Sequence, residues 1–163
     1  VLDTINGLPV HPLVVHAVVV LLPLAALGVI AIAVRPSWRT RFGSLVAATA
    51  GLAVITIPLA TASGDQLKAR VGDPGQHAEL GDTLLWFALP LLAVAVALAW
   101  RNRRSAAGDP APPSGGRPAV RMTVAALAIV IAAANLVQVY RVGDSGARAA
   151  WGAAGKAAPA AGR

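Results

Sequence analysis

The sequence predicts an all-α integral membrane protein, a bundle of four transmembrane helices with both termini on the outer side. Three observations lead there. First, the 163-residue chain is 56% hydrophobic and only 13% charged, with a mean hydropathy of +0.67. An ordinary soluble domain is about 25% charged, and so few polar side chains could not cover a soluble core of this composition. Second, four long runs carry no formal charge: Leu13–Val34 (broken only by His16), Phe42–Ser63, Thr83–Trp100 and Met122–Tyr140. Third, the basic residues gather in the connections after the first and third runs.

Each run is close to the ~20 residues that cross ~30 Å of hydrocarbon at 1.5 Å per residue. None alternates as a strand would, and a sheet in lipid must close into a barrel. The first helix is expected over 12–34, starting at His11-Pro12 because Pro suits the first helical position. Nothing basic precedes it, Asp3 is acidic, and it is longer than a signal core, so it reads as a retained span. The second is expected over 42–63, where Gly43, Ala47 and Gly51 at four-residue spacing let another helix approach closely. The third is expected over 78–100 and the fourth, nearly all Ala, Val, Ile and Leu, over 120–141. Pro23, Pro58 and Pro90 should kink the first three. Residues 1–151 read as one domain, with a Pro/Gly/Ser-rich cytoplasmic linker at 105–118 and a disordered Ala/Gly-rich tail at 152–163.

Orientation follows from the bases. Arg35, Arg39 and Arg41 follow the first helix; Arg101, Arg103, Arg104, Arg117 and Arg121 surround the third connection against Asp109. Between the second and third helices Lys68 and Arg70 face Asp65, Asp73, Glu79 and Asp82. The positive-inside rule then gives N-out and C-out, although Arg141, Arg148, Lys156 and Arg163 run against it. Trp38, Phe42 and Trp100 fall at the inner border, and Tyr140 and Trp151 near the outer one, with Trp86 slightly deeper. Arg outnumbers Lys and Ala is abundant, as in GC-rich bacterial genomes, so the expected location is a bacterial cytoplasmic membrane. The net charge of +7 is read as orientation and anionic-lipid contact, with no nucleic acid among the partners. With no Cys, disulfides, thiol catalysis and Cys-ligated iron–sulfur clusters are excluded from this chain.

One stretch echoes another. Arg70-Val71-Gly72-Asp73-Pro74-Gly75 recurs as Arg141-Val142-Gly143-Asp144-Ser145-Gly146. That would fit a duplicated helical hairpin in this register, though Gly-Asp is also a common turn pair.

The polar inventory is lopsided. His11, His16 and His77, with Asp65, Asp73, Glu79, Asp82 and Asp144, all map to the outer side. His16 lies roughly 6 Å inside its helix start. Asn135 and Gln138 lie at a similar depth, and Thr61 and Ser63 end the second helix at that level. Polar groups there must face the bundle interior, which predicts a shared outer pocket. His11 and His16 diverge by about 140° around a helix and cannot share a metal. His16 and His77 come from different helices and are the expected axial ligands of a haem b iron, or else contacts to a quinone. His11 is assigned as a supporting or alternative ligand, Asn135 as a lining residue and Arg148 or Arg70 as the partner of haem propionates. Asp65 is assigned as an orienting carboxylate. The bland alternative is that helix-end histidines simply make interfacial hydrogen bonds. No phosphate loop, nucleophile elbow or His-Glu-x-x-His motif is present. No charged path crosses the bundle, which disfavours a transporter. No independent catalytic activity is expected.

Gly7-Leu8-Pro9-Val10-His11-Pro12-Leu13-Val14-Val15-His16, followed by an apolar helix with Pro23, resembles the opening of a bacterial family of four-helix membrane proteins, domain of unknown function two-two-three-one. Ser63-Gly64-Asp65, His77-Ala78-Glu79-Leu80-Gly81 and Gly143-Asp144-Ser145-Gly146-Ala147 look similar as well, so the resemblance extends from about Gly7 to Trp151. It departs at Ala17-Val18, where the family leads one to expect an aromatic and a Pro. The resemblance implies a membrane module without an established activity. Some relatives look fused or adjacent to Rieske-type iron–sulfur domains, an association that implies redox work at the outer face. The expected function is therefore a redox-linked membrane module holding haem b or quinone. The rival expectation is a structural accessory subunit whose Gly- and Ala-rich faces dock on a larger respiratory-type complex. The partners expected are the bilayer, such a complex or a Rieske-type protein, and a second copy of the chain.

Overall fold

A computed structural model describes residues 4–5, 8–72, 75–106 and 118–156. The chain opens with a two-residue antiparallel ladder, β1 (Thr4–Ile5) against β2 (Leu8–Pro9), with Thr4 opposite Pro9. Four helices follow: α1 (Val10–Val34), α2 (Arg39–Val71), α3 (Gln76–Ala106) and α4 (Pro118–Lys156). All four are long and apolar enough to cross a bilayer, and the chain is a multi-pass membrane protein. Three helices run past the apolar segments that predict them. α2 continues beyond residue 63 to Val71, α3 beyond 100 to Ala106, and α4 beyond 141 to Lys156. The cause is local: Gln66-Leu67-Lys68-Ala69-Arg70 and Ala147-Arg148-Ala149-Ala150 are polar yet strong helix formers. The α4 extension takes in the first part of the expected tail. Residues 107–117 of the linker and 157–163 of the tail lie outside the described residues, as does Asp73.

The connections have clear causes. Pro36 closes α1, and one 3-10 turn (Pro36–Trp38) leads into α2. Arg39 then reaches back to the C-terminus of α1, donating from Nε to the Ile32 carbonyl (2.7 Å) and from Nη2 to that of Ala33 (3.3 Å). A cation there satisfies orphan carbonyls and complements the helix dipole. Arg35 lies over the Trp38 ring at 5.1 Å, and Trp38 meets Phe42 edge-on at 5.9 Å. Between α2 and α3 the chain turns at Gly72 and Gly75, whose φ values of +97° and +59° suit glycine.

Around the bundle the order is α1, α2, α3, α4, with α1 packed on α4 and only light contact across the α1–α3 diagonal. The α1–α2 and α3–α4 hairpins are equivalent. The step along the chain that carries His11 onto His77 also carries Val18, Leu22, Ala25, Val29, Ile32 and Ala33 onto Leu84, Ala88, Leu91, Ala95, Leu98 and Ala99. Every residue in both sets is buried. The step that carries Ser63 onto Ser145 carries Val46, Ala50 and Ala53 onto Ala128, Ala132 and Asn135, again all buried. The two hairpins are thus related by an approximate two-fold axis along the bundle, the geometry of a parallel repeat. Sizes alternate across that axis: Leu22 matches Ala88, Ala25 matches Leu91 and Val29 matches Ala95. Two large residues facing each other would clash and two small ones would leave a void, so the exchange fills the centre.

The register of this repeat differs from the echo in the sequence. Arg70–Gly72 is the end of α2 and its turn, whereas Arg141–Gly146 lies within continuous α4. A turn and a helix interior are not equivalent, so the Gly-Asp echo is not the alignment. The Ser-Gly pairs, Ser63-Gly64 and Ser145-Gly146, are.

The small-residue row of α2 is spent inside the bundle. Gly43 is buried, and a Cβ there would meet the Ala99 Cα at 3.3 Å. Ala47 is half-buried against the core, and Gly51 looks towards Leu92. These residues serve α2–α3 packing.

Candidate functional site

At the end of the bundle where α1 begins, two histidines are held in the same way. His11, in the first turn of α1, places Nδ1 at 3.0 Å from the Ala60 carbonyl and 3.3 Å from Ser63 Oγ on α2. His77, in the first turn of α3, places Nδ1 at 3.1 Å from the Val142 carbonyl and 3.4 Å from Ser145 Oγ on α4. In each case the serine hydroxyl donates to the same carbonyl, at 2.9 Å. The logic of donors then fixes the ring. A carbonyl only accepts, and the serine proton is already committed, so Nδ1 must carry the hydrogen and share it between the two oxygens. In the neutral ring Nε2 is therefore a bare lone pair.

A glycine makes room for each ring. A Cβ added at Gly64 would stand 3.0 Å from His11 Cε1, and one at Gly146 would stand 3.0 Å from His77 Cε1. These glycines follow the latching serines directly in sequence, so His, Ser and Gly form one unit that occurs twice.

Both histidines line one cavity of about 320 Å³ between the hairpins. Its walls repeat across the two-fold axis: His11 with His77, Val18 with Leu84, Ile57 with Val139, and Ala60 with Val142. The walls are mostly apolar, and Asp65, Lys68 and Asp82 add charge to the lining. From His11 to Val18 the cavity reaches roughly 10 Å along α1. Small side chains leave room here, among them Gly81, Ala78 and Ala149.

The other expected site residues are placed differently. His16 is exposed, does not line the cavity, and turns Nδ1 to the Pro12 carbonyl one turn back on its own helix. The position equivalent to it on α3 is Asp82, so the histidine pair that shares the cavity is His11 and His77 rather than His16 and His77. The bond to the Pro12 carbonyl holds the His16 ring against its own helix and outside the cavity, whereas the equivalent Asp82 does line it. Asn135 is buried but lies deeper, donating from Nδ2 to the Phe87 and Ile131 carbonyls at 2.9 Å each. Its Oδ1 has no partner among the described residues. Gln138 clamps α4 to α3 through Thr83 Oγ1 (2.8 Å) and the Leu80 carbonyl (3.3 Å). Arg148 is largely exposed and pairs with Asp144 at 2.8 Å one turn away, an arrangement worth little in solvent. Asp65 and Gly64 do line the cavity. No group of three or more His, Cys, Asp or Glu poised for a metal occurs among the described residues. Ser145 and Gly146, which hold and make room for His77, are the cavity-end residues that residue-by-residue reading passes over. The signal for them was the Ser-Gly pair itself.

A family described as "Predicted membrane protein (DUF2231)" has a model that matches residues 7–159, as the opening motif leads one to expect. No characterised protein and no solved structure matches the chain.

Proposed function

The chain belongs to the DUF2231 family of predicted membrane proteins, and on that premise we propose that it is a redox-linked membrane module holding a quinone-class ligand, a single apolar ring bearing oxygen, in the cavity between its hairpins. One observation carries this reading: two histidines from separate hairpins line one apolar cavity, each with Nδ1 tied to a backbone carbonyl. That tie is what orients a ligand-binding imidazole and fixes its tautomer. The cavity's walls offer an apolar molecule mainly Val, Leu, Ile and Ala.

The donor set also suits haem b, since Nε2 with Nδ1–H on a carbonyl is the ligating form of His. Size favours the single ring. The volume of about 320 Å³ sits at the floor of the ~300–1,000 Å³ range of ligand pockets, which suits one ring. Arg148, one of the two expected propionate partners, lies outside the cavity.

The test is extraction and spectroscopy of protein purified in mild detergent. The account expects a quinone in the organic extract and no Soret band. A Soret band lost in His11→Ala and His77→Ala would overturn the quinone reading in favour of haem. Protein that carries neither, and takes up neither when supplied, would overturn both and leave the accessory-subunit role.

A further inference from the structure

We infer that the cavity selects the reduced, dihydroxy form of such a ring, taking one O–H on Nε2 of His11 and the other on Nε2 of His77. The inference rests on the ligand reading above and goes further, because it specifies which chemical form is held and by which atoms.

Donors and acceptors decide which form is held. Each Nδ1 proton is consumed by a backbone carbonyl and a serine oxygen whose own proton is committed elsewhere. Neither ring can turn round without leaving that carbonyl unpaired and driving Cε1 and Nδ1 off the glycine beneath them. What each neutral histidine offers the cavity is therefore an acceptor. A quinone carbonyl is also an acceptor, and two acceptors facing each other repel. A hydroquinone hydroxyl is a donor and completes the bond. Buried polar groups left without a partner are penalised more heavily than bonds made are rewarded, so discrimination between the two forms should be strong.

Symmetry favours the same ligand. The acceptors come from equivalent positions in the first turns of α1 and α3, one from each hairpin, and both histidines line the one cavity. A para-dihydroxy ring has the same two-fold symmetry, with its donors at opposite poles. The apolar pairs Val18/Leu84 and Ile57/Val139 would enclose its faces and edges.

The test compares durohydroquinone, duroquinone and durohydroquinone dimethyl ether on the full chain in lipid nanodiscs, against empty nanodiscs, without oxygen. The account expects durohydroquinone to bind about ten-fold or more tighter than the other two. His11→Asn and His77→Asn sharpen the test. Asparagine keeps an N–H where Nδ1 stood, so the latch to α2 or α4 is retained while Nε2 is removed. Each variant should lose about ten-fold of the preference and keep its unfolding temperature. Equal binding of durohydroquinone and duroquinone would overturn the selection and leave the ligand reading standing. So would full preference in both Asn variants. Failure of all three compounds to bind would overturn the ligand reading itself.

Discussion

The two hairpins keep the same histidine latch but hold themselves together by different means. The first relies on close apolar contact along its length, with Arg39 bonding α1 only at its C-terminal end. Gly28 on α1 sits so near Val46 that an added Cβ would meet its Cγ2 at 2.8 Å, and every buried residue of α1 is apolar. The second relies on hydrogen bonds. Where α2 has Ala53 and Thr56, α4 has Asn135 and Gln138, both buried and both donating to α3. Bulk is also exchanged: the positions equivalent to Gly28 and Val46 are Val94 and Ala128, large and small reversed. Packing and hydrogen bonding have thus diverged between the halves while His, Ser and Gly have not. What varies is the means of joining two helices, which has many solutions. What is held equal is the geometry at the cavity.

That comparison can be broken or sharpened by substitution, with stability followed as unfolding in detergent. The largest effect is expected at Gly28. Gly28→Val should cost about 1–3 kcal/mol by overpacking against Val46. Adding Val46→Ala should recover most of the loss, because the pair then has the sizes of Val94 and Ala128. A double variant no better than the single one would mean that the halves do not share a packing frame. Next come Gly64→Ala and Gly146→Ala, each of which presses on a histidine ring at 3.0 Å. Each should cost about 1 kcal/mol, and the two costs should match; a large difference would show that the latches are not equivalent. Asn135→Leu should be close to neutral, within about 1 kcal/mol, since the lost bond to Phe87 is offset by removing a buried oxygen without a partner. A much larger loss would mean that Oδ1 is engaged. The smallest effects belong to Ser63→Ala and Ser145→Ala. Each removes one arm of a shared hydrogen bond and should cost about 0.5 kcal/mol, in line with polar contacts inside membrane bundles.

The fold was largely legible in the sequence because length and hydropathy alone decide a transmembrane helix. Helix ends were less so. Hydropathy stops where the lipid stops, but Gln66–Ala69 and Ala147–Ala150 stay helical through backbone propensity. The site was legible in part. That polar residues must gather at the histidine end follows from the cost of leaving them in lipid, and His11, His77, Asp65 and Gly64 do meet around one cavity. Which histidine partners His77 depends on which face of α1 turns inward. His16 is the deeper of the two in the sequence, yet it points away, and His11 at the very start of the helix points in. The repeat is half visible in the sequence: Gly-Asp, a turn signal, recurs out of register, and the equivalent units are His and Ser-Gly, separated by connections of unequal length.

The most direct test of the account is ring-nitrogen NMR of histidine-labelled protein, recorded before and after durohydroquinone is added. The account predicts that His11 and His77 both carry the proton on Nδ1, with bare Nε2 signals that move together on addition, while His16 stays still. An Nε2–H tautomer at His11 or His77, or a response at His16 alone, would contradict the shared two-histidine cavity.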